Sequence, residues 1–570
     1  VLDVVGIDFD DALVARWRAR VELGRARLGW SAGAREAIKA RRHGAGTSLA
    51  FAAPVDQLFA ATELNEWALA ASLRERDPVR WEGLESALRM AALESTTPPA
   101  LPPLLDEAGA LDRLVQLAAI EARPLLRIAV GRAATTGLGW LLDDEALSLG
   151  EGAGHAAFVL DSLSRPEVVH WANLRNVPTA LVTGSNGKTT TVRLLAACAR
   201  AQGLRAGYNC TDGVFLDGEL LVAGDFSGPA GARSVLRDSR VEFAVIEAAR
   251  GGILRRGVSV NRADVALVTN VSLDHVGAYG IDDLDAMAAV KLVIANAVGP
   301  GGLVVLNAGD STLLRHASRI AAPVGWFGRD FDSPPLREAR ACGGSACGVL
   351  AGQLICSHRG ETHELGDITS MPLTVDGSAA YNIENLAGAA LAAVALGVAP
   401  DAIRTVFGRF GSNASDNPGR LMRYEVRGAL AIIDYAHNPD GLRGLLEVAR
   451  RLAGEGRLLM LLGQAGDRGD ADIEALAAVA AKANPDLVVI KEMAGYLRGR
   501  APGEVQAILR RALLAHGLPA GRVQERASEI EAAQAALDAA RPGDVVLLLV
   551  HGVLARSEVM SMIRTQRRAD

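Results

Sequence analysis

Lysine is scarce in this chain. Of 60 basic residues only five are lysines: Lys39, Lys188, Lys291, Lys482 and Lys491. A bias toward arginine codons explains the scarcity in general. It also singles out positions where a guanidinium cannot replace an amine, because the two groups differ in size, hydration and ability to lose a proton. Lys188 and Lys291 are followed on that ground. The five cysteines have no paired spacing, and the amino end shows no charged-then-apolar leader, so the expectation is a reducing, cytoplasmic setting without export. A basic excess is also missing: the net charge of -6 argues against a nucleic-acid or anionic-membrane partner, since both require a basic face. The most apolar run, VVLLLV (Val545–Val550), falls far short of the roughly 20 residues of a membrane helix and reads as a buried strand. No short-period repeat or low-complexity tail is present. The partners left are small molecules or peptides.

A chain of 570 residues exceeds one ordinary core, and roughly 100–200 residues per domain predicts about two to four domains. Three blocks emerge. Residues 1–176 mix a strand-like LDVVGIDF with Ala/Leu/Arg helices and a Pro-rich loop, TTPPALPP (Thr96–Pro103); they read as a mixed α/β domain without identifiable chemistry. In residues 177–417, strand-length apolar runs (TALVT, FAVIE, VALVTN, LVVLN) alternate with helical patterns, which predicts βαβ units and a mostly parallel sheet with ligands at the strands' carboxyl ends. Residues 418–570 repeat the alternation with ALAIID, RLLMLLG, DLVVI and DVVLLLV, predicting a smaller Rossmann-like domain. The fold class expected is therefore α/β and multidomain, with a central P-loop-type parallel sheet.

The stretch LVTGSNGKTTT (Leu181–Thr191) ends like the phosphate loop G-x-x-x-x-G-K-[ST], yet the first glycine position holds Val182, and the glycine preceding Gly187 is Gly184. Strand before and amphipathic helix after place Gly184, Ser185, Asn186, Gly187, Lys188, Thr189 and Thr190 where free backbone N–H groups and the helix dipole favour a phosphate. Lys188 would neutralise β/γ-phosphate charge, and the Thr189 hydroxyl would reach Mg²⁺. Hard ligands for that ion should come from neighbouring strand ends. Glu247 closes FAVIE, and His275 follows VALVTN in NVSLDHVG. Their plainer readings are a strand-end carboxylate and a loop histidine. Lys291, inside the helical pattern IDDLDAMAAVKLVIANAV, is either a solvated helix lysine or an amine that CO₂ converts to a metal-holding carbamate. In ACGGSACGVLAGQLICSHRGETH, Cys342, Cys347, Cys356, His358 and His363 lack the short paired spacings of structural zinc sites, so a strand-and-loop region is preferred.

The short glycine spacing of TGSNGKTTT resembles that of the Mur ligases and folylpolyglutamate synthases. GDFSGPAGARSVLRDSRVEFAVIEAARGGILRRG, TNVSLDHVG, NIENLAGAALAA, NPGRL, DYAHNPDGL and GDRGD resemble, in order, markers of the Mur-ligase half of cyanophycin synthetase. The resemblance implies an ATP-dependent, carboxylate–amine ligase working through an acyl phosphate, with ATP on the middle domain and the last domain closing over it. It implies magnesium at Thr189, Glu247 and His275, and a carbamylated Lys291 as in many Mur ligases. It further implies adenine near Asn382 and Asn385, with Arg420 and Asp434 reaching the nucleotide. Thr211, Asp212, Ser227, Gly228, Pro229, Arg250 and Gly251 would face the carboxylate substrate, His437 and Asn438 would help form the closed site, and Asp467, Arg468, Glu492 and Arg498 are candidates for receiving the amine, an amino acid such as arginine. Related ligases also suggest a homo-oligomer.

Two departures stand out. Tyr381-Asn382 replaces the family's frequent His-Asn, and no glycine-rich ATP-grasp loop occurs in residues 1–176, so synthesis of a complete Asp-Arg polymer by these residues alone is not expected. Two alternatives stay open: an amidating subunit fed with ammonia by a glutaminase partner, and a regulatory protein that binds nucleotide without turnover. The joint presence of Lys188, Thr189, Glu247, His275 and Lys291 speaks against the second.

Overall fold

The computed structural model describes residues 1–30, 38–43, 46–79, 81, 105–163, 169–258, 260–273 and 278–568; the Pro-rich segment and His275 lie outside them. Among the described residues the strands form four sheets. Two are small. Strands β1 (Leu2–Val5), β2 (Ile38–His43) and β3 (Gly46–Phe51) pair antiparallel in the order β1-β3-β2, as do β4 (Trp140–Leu142), β5 (Ala146–Leu149) and β6 (Ala156–Val159) in sequence order. The first packs with the helices Asp11–Arg27, Leu58–Arg76 and Glu107–Glu121 around Trp17 and Trp67; the buried Trp17 indole donates to Asn65 Oδ1 at 2.9 Å.

The large sheet has eleven strands: β7 (Thr179–Thr183), β8 (Ala206–Cys210), β9 (Gly213–Leu216), β10 (Glu219–Ala223), β11 (Phe243–Glu247), β12 (Ala263–Val268), β13 (Val298–Asn307), β14 (Val324–Phe327), β15 (Ser345–Leu350), β16 (Gln353–His358) and β17 (Glu361–Asp367), in the order β10-β9-β8-β11-β7-β12-β13-β14-β15-β16-β17. Its centre from β8 to β15 is parallel, as the alternating runs predict. Each margin, however, is extended by antiparallel strands that the sequence reading did not foresee. The cysteine-rich segment supplies one of these margins: Cys347 stands opposite Cys356, and Cys356 opposite His363.

The central strands β7, β8 and β11 are buried along their whole length because both faces are covered. Ala180 and Val182 of β7, with Phe243 and Val245 of β11, enter one core; Leu181, Ala244 and Ile246 enter the other. Each fully buried Val, Leu or Ile side chain adds about 1.5–3 kcal/mol over exposure. The chain passes from β7 over β11's place to β8, then returns and crosses to β12 on the other side. β7 therefore ends at the point where the winding reverses, which opens a crevice at its carboxyl end.

The last sheet comprises β18 (Met422–Val426), β19 (Ala429–Asp434), β20 (Leu458–Leu462), β21 (Leu487–Lys491), β22 (Val523–Arg526) and β23 (Val545–Leu549), in the order β18-β19-β23-β20-β21-β22, parallel except for β18. The four expected runs are β19, β20, β21 and β23. VVLLLV is thus a central buried strand.

Candidate active site

The glycine spacing has a steric cause. Gly184 has φ 151° and Gly187 φ 85°, the latter left-handed. A Cβ on Gly184 would stand 1.8 Å from Thr269 Oγ1, and one on Gly187 2.2 Å from Asn385 Oδ1. Both positions therefore combine positive φ with close approach, conditions only glycine meets. The loop between them is tied to the segment after β12: Ser185 N donates to Asn270 O at 3.0 Å, Asn186 N to Asn270 Oδ1 at 2.9 Å, and Ser272 N to Ser185 Oγ at 2.8 Å. The helix Lys188–Ala201 starts immediately after Gly187, so its first N–H groups face the crevice.

Lys188 Nζ donates to the carbonyls of Gly184 (3.0 Å) and Ser185 (3.1 Å), both within its own loop. Glu247 is fully buried at the end of β11 and accepts from the hydroxyls of Thr189 (Oε2, 2.9 Å) and Thr211 (Oε1, 3.4 Å). Burial pushes its carboxyl upward, while the Lys188 ammonium and the Thr189 hydroxyl pull it down. A buried acceptor-only oxygen pair with two hydroxyls around it is the hard donor set a divalent cation such as Mg²⁺ takes. Lys291, buried in the helix Leu284–Leu292, lines the same cleft.

Across the crevice stand residues of the last sheet. Asp434 ends β19; its carboxylate accepts from Leu421 N (2.8 Å) and Ala436 N (2.7 Å). Burial raises its pKa, opposed first by Arg420. The Arg420 guanidinium lies 4.4 Å over the Tyr435 ring, a cation–π contact that aims it at the cleft. Asn438 caps the helix Pro439–Ala453 by accepting from Gly441 N at 2.9 Å, and its Nδ2 donates to Asn186 Oδ1 of the phosphate loop, also at 2.9 Å.

Two cavities meet here. One, of about 350 Å³, runs from Ser185–Thr190 to Tyr381, Asn382, Asn385, Arg420, Asp434, Gly444 and Leu445. The other, of about 760 Å³, is lined by Gly184, Ser227, Gly228, Pro229, Arg250, Gly251, Lys291, Asp467 and Arg498 among others. Ser185, Lys188, Thr211, Glu247, Tyr435 and His437 line both.

The structure separates several of the anticipated residues from the cleft. Asp212 lines neither cavity; its carboxylate is held between Arg193 and Arg556, each at 2.6 Å. Burial works to raise its pKa, but Arg193, Arg556 and Arg420 outweigh it and keep the group ionised. Arg468 is buried beside Asp467, and its carbonyl accepts from Arg500 at 2.8 Å. Glu492 accepts from Gly503 N at 2.6 Å and holds a loop. His275 lies outside the described residues. Among the described residues, no group of three His, Cys, Asp or Glu is placed to hold a metal.

Sequence reading missed Asn270 and Ser272, which hold the phosphate loop, and Asn417, whose Nδ2 donates to Thr190 Oγ1 at 3.1 Å. It also missed Asp225, Arg255 and Arg256 in the larger cavity. The polar pair after VALVT was the available signal for the first two, because polar residues directly after a buried parallel strand sit at its ligand end.

A glycine-bent loop on a parallel sheet, faced across one cleft by a second Rossmann-like sheet, defines a two-sheet α/β architecture. The Mur ligase middle domain matches residues 182–393, and the "Mur ligase, glutamate ligase domain" matches residues 419–551. The chain belongs to the Mur ligase family. It is 34% identical over 391 residues to a cyanophycin synthetase of Synechocystis, covering 69% of this chain and 44% of that protein. It is 30% identical over 380 residues to a UDP-N-acetylmuramyl-tripeptide synthetase of Leifsonia xyli, covering 64% and 69% respectively. The chain thus spans less than half the length of the cyanophycin synthetases it matches. Among solved structures, Escherichia coli FolC in complex with DHPP and ADP shares the fold at TM-score 0.50 and 22% identity, over 68% of this chain and 89% of that one. The resemblance drawn from the motifs and the α/β multidomain expectation are both borne out. Among the described residues no helix is long and apolar enough to cross a membrane.

Proposed function

We propose that the protein is an ATP-dependent carboxylate–amine ligase that joins an amino acid to an amino-acid or peptide carboxylate through an acyl phosphate. The observation that carries this reading is the junction of the two cavities at Lys188, Thr211, Glu247, Tyr435 and His437. The smaller cavity sets the polar groups Asn382, Asn385 and Asp434 beside the phosphate loop, which suits a nucleotide. The larger one, with Arg250, Arg255 and Arg256 on one wall and Asp467 and Arg498 on another, suits an acceptor carboxylate and an incoming amine.

Attack of the carboxylate on the γ-phosphate gives acyl phosphate and ADP; the amine then displaces phosphate and forms the amide. Two anions must approach, and the transferred group spreads negative charge, so positioning and fixed cations carry the catalysis. Lys188 is within reach of the transferred phosphate once its ammonium leaves the loop carbonyls. Arg420 brings a second cation from the other sheet. Thr189 and Glu247 would hold Mg²⁺, with His275 and a carbamate on Lys291 as further ligands, and the ion would supply positive charge against the phosphates. Closing the cleft over the acyl phosphate would keep out the water that hydrolyses it.

Purified protein is assayed for phosphate release with ATP and Mg²⁺, with pooled carboxylates crossed against pooled amino acids and product masses read by mass spectrometry. The expected result is release that needs both pools, a new amide mass, and loss of both on Lys188→Ala. Nucleotide binding without release in any pool would overturn the ligase reading.

A further inference from the structure

Lys491, one of the five lysines, is used by none of the chemistry above, yet it is 1% exposed. It ends β21, between β20 and β22, and its side chain reaches past β20 to the carboxyl end of β23. Its ammonium donates to Glu529 Oε1 at 2.5 Å, to the Leu549 carbonyl, and to His551 Nδ1 at 3.2 Å. An ammonium has three N–H bonds, so these partners exhaust it. Gly463, at the end of β20, leaves room for the lysine stem: a Cβ there would stand 2.6 Å from Lys491 Cγ. Glu529 is filled as well, accepting from His551 N at 2.8 Å and Gly552 N at 2.9 Å.

This arrangement decides where the His551 proton sits. With Nδ1 accepting from the ammonium, a neutral imidazole must carry its hydrogen on Nε2. Nε2 lies 3.3 Å from the carbonyl of Ala436, so it donates to the loop that joins Asp434 to Asn438. The same loop is held by Gln464 Nε2, which donates to the His437 carbonyl at 3.0 Å. The Tyr435 ring meets the His551 ring edge-on at 5.0 Å and the His437 ring at 5.3 Å. We infer that Lys491, Glu529 and His551 are positioning residues: they lock His551 in the Nε2–H tautomer and thereby fix the Tyr435–His437 loop at the junction of the two cavities. The catalytic consequence rests on the ligase reading; the tautomer lock does not.

The groups facing His551 are Lys491 from β21, Glu529 from its helix, His437 and Tyr435 from the loop, and Arg420 beyond them. Burial, with the charges of Lys491, His437 and Arg420, holds the imidazole well below its usual range, so it stays neutral while the loop works.

The test uses the full chain with isotope-labelled histidine, its His551 signals assigned by their loss in His551→Gln. Long-range proton–nitrogen spectra between about pH 5 and pH 8 bracket the ordinary imidazole titration. Wild type should show a neutral Nε2–H ring that does not titrate. Lys491→Met/Glu529→Gln removes both charges together, avoiding an orphaned ion, and should give a mixed tautomer. In the ligase assay that double variant and His551→Leu should lose kcat on the order of 10- to 100-fold, the scale expected when a reacting geometry is displaced, with KM for ATP little changed. His551→Gln, whose amide N–H can reach Ala436, should recover most of the rate. An Nδ1–H or titrating ring in wild type, or full activity in a folded His551→Leu, overturns the inference. If wild type forms no amide at all, the ligase reading fails by itself, and the ring spectra still decide whether the clamp exists.

Discussion

The ligand ends of the two large sheets each carry a lysine, and the two lysines are partnered in opposite ways. Lys188 rests on two carbonyls of its own loop, beside a cavity. Lys491 is sealed among a carboxylate, a carbonyl and an imidazole. An ammonium hydrogen-bonded only to carbonyls beside a cavity can turn to an incoming anion. One whose three donors are filled serves to hold other groups in place. The lysine of the central sheet thus faces the cleft, while that of the last sheet is used to hold neighbouring groups in place.

Removing each lysine should separate the two roles. Lys491→Met leaves Glu529 buried without its counter-ion and should destabilise the protein by about 3–5 kcal/mol, the usual result of breaking a buried pair from one side; chemical denaturation measures it. Lys188→Ala should change stability by about 1 kcal/mol or less, yet lower phosphate release by about 100- to 1000-fold, as removal of a donor to developing charge does. Equal stability losses in the two variants would break the contrast.

A buried charge at the far end of the central sheet sharpens it further. Glu151 accepts from Arg262 at 2.9 Å and from the Thr179 hydroxyl at 3.1 Å, but burial outweighs them and raises its carboxyl to about 7. Because the folded state then binds the proton more tightly than the unfolded one, its contribution is present below about pH 4.5 and is lost as pH rises through about 7. The loss is on the order of 3 kcal/mol. Denaturation midpoints at both ends of that range should differ less in Glu151→Gln than in wild type. The smallest effect is expected at the seam between the sheets, where Asn438→Ala removes a helix cap worth about 1 kcal/mol and should be read by the same unfolding experiment.

What could be read from the sequence follows from how far apart interacting residues lie. The phosphate loop, the strand ending in Glu247 and the four strands of the last sheet were legible because each rests on residues within one turn or one strand. The antiparallel margins were not. β17, for example, reads ETHELGD (Glu361–Asp367), a mostly polar run that is held as a strand by its antiparallel pairing with β16. The pairing of Asp212 with Arg556 was not legible because the two lie 344 residues apart. Lys491 was noticed only for its rarity, since Glu529 and His551 join it through tertiary folding alone. In the first 176 residues the helices and small sheets are held by scattered contacts such as Trp17 with Asn65, and no motif announces them.

The bond from Asn438 to Asn186 has a thermodynamic consequence. One end belongs to the loop that would grip phosphate, the other caps a helix of the facing sheet. Whatever strengthens the loop's hold on a nucleotide by favouring this seam must, by reciprocity, favour the seam by the same factor when nucleotide binds. A nucleotide held by the loop and the seam would share one coupling free energy, so each would strengthen the other by the same factor.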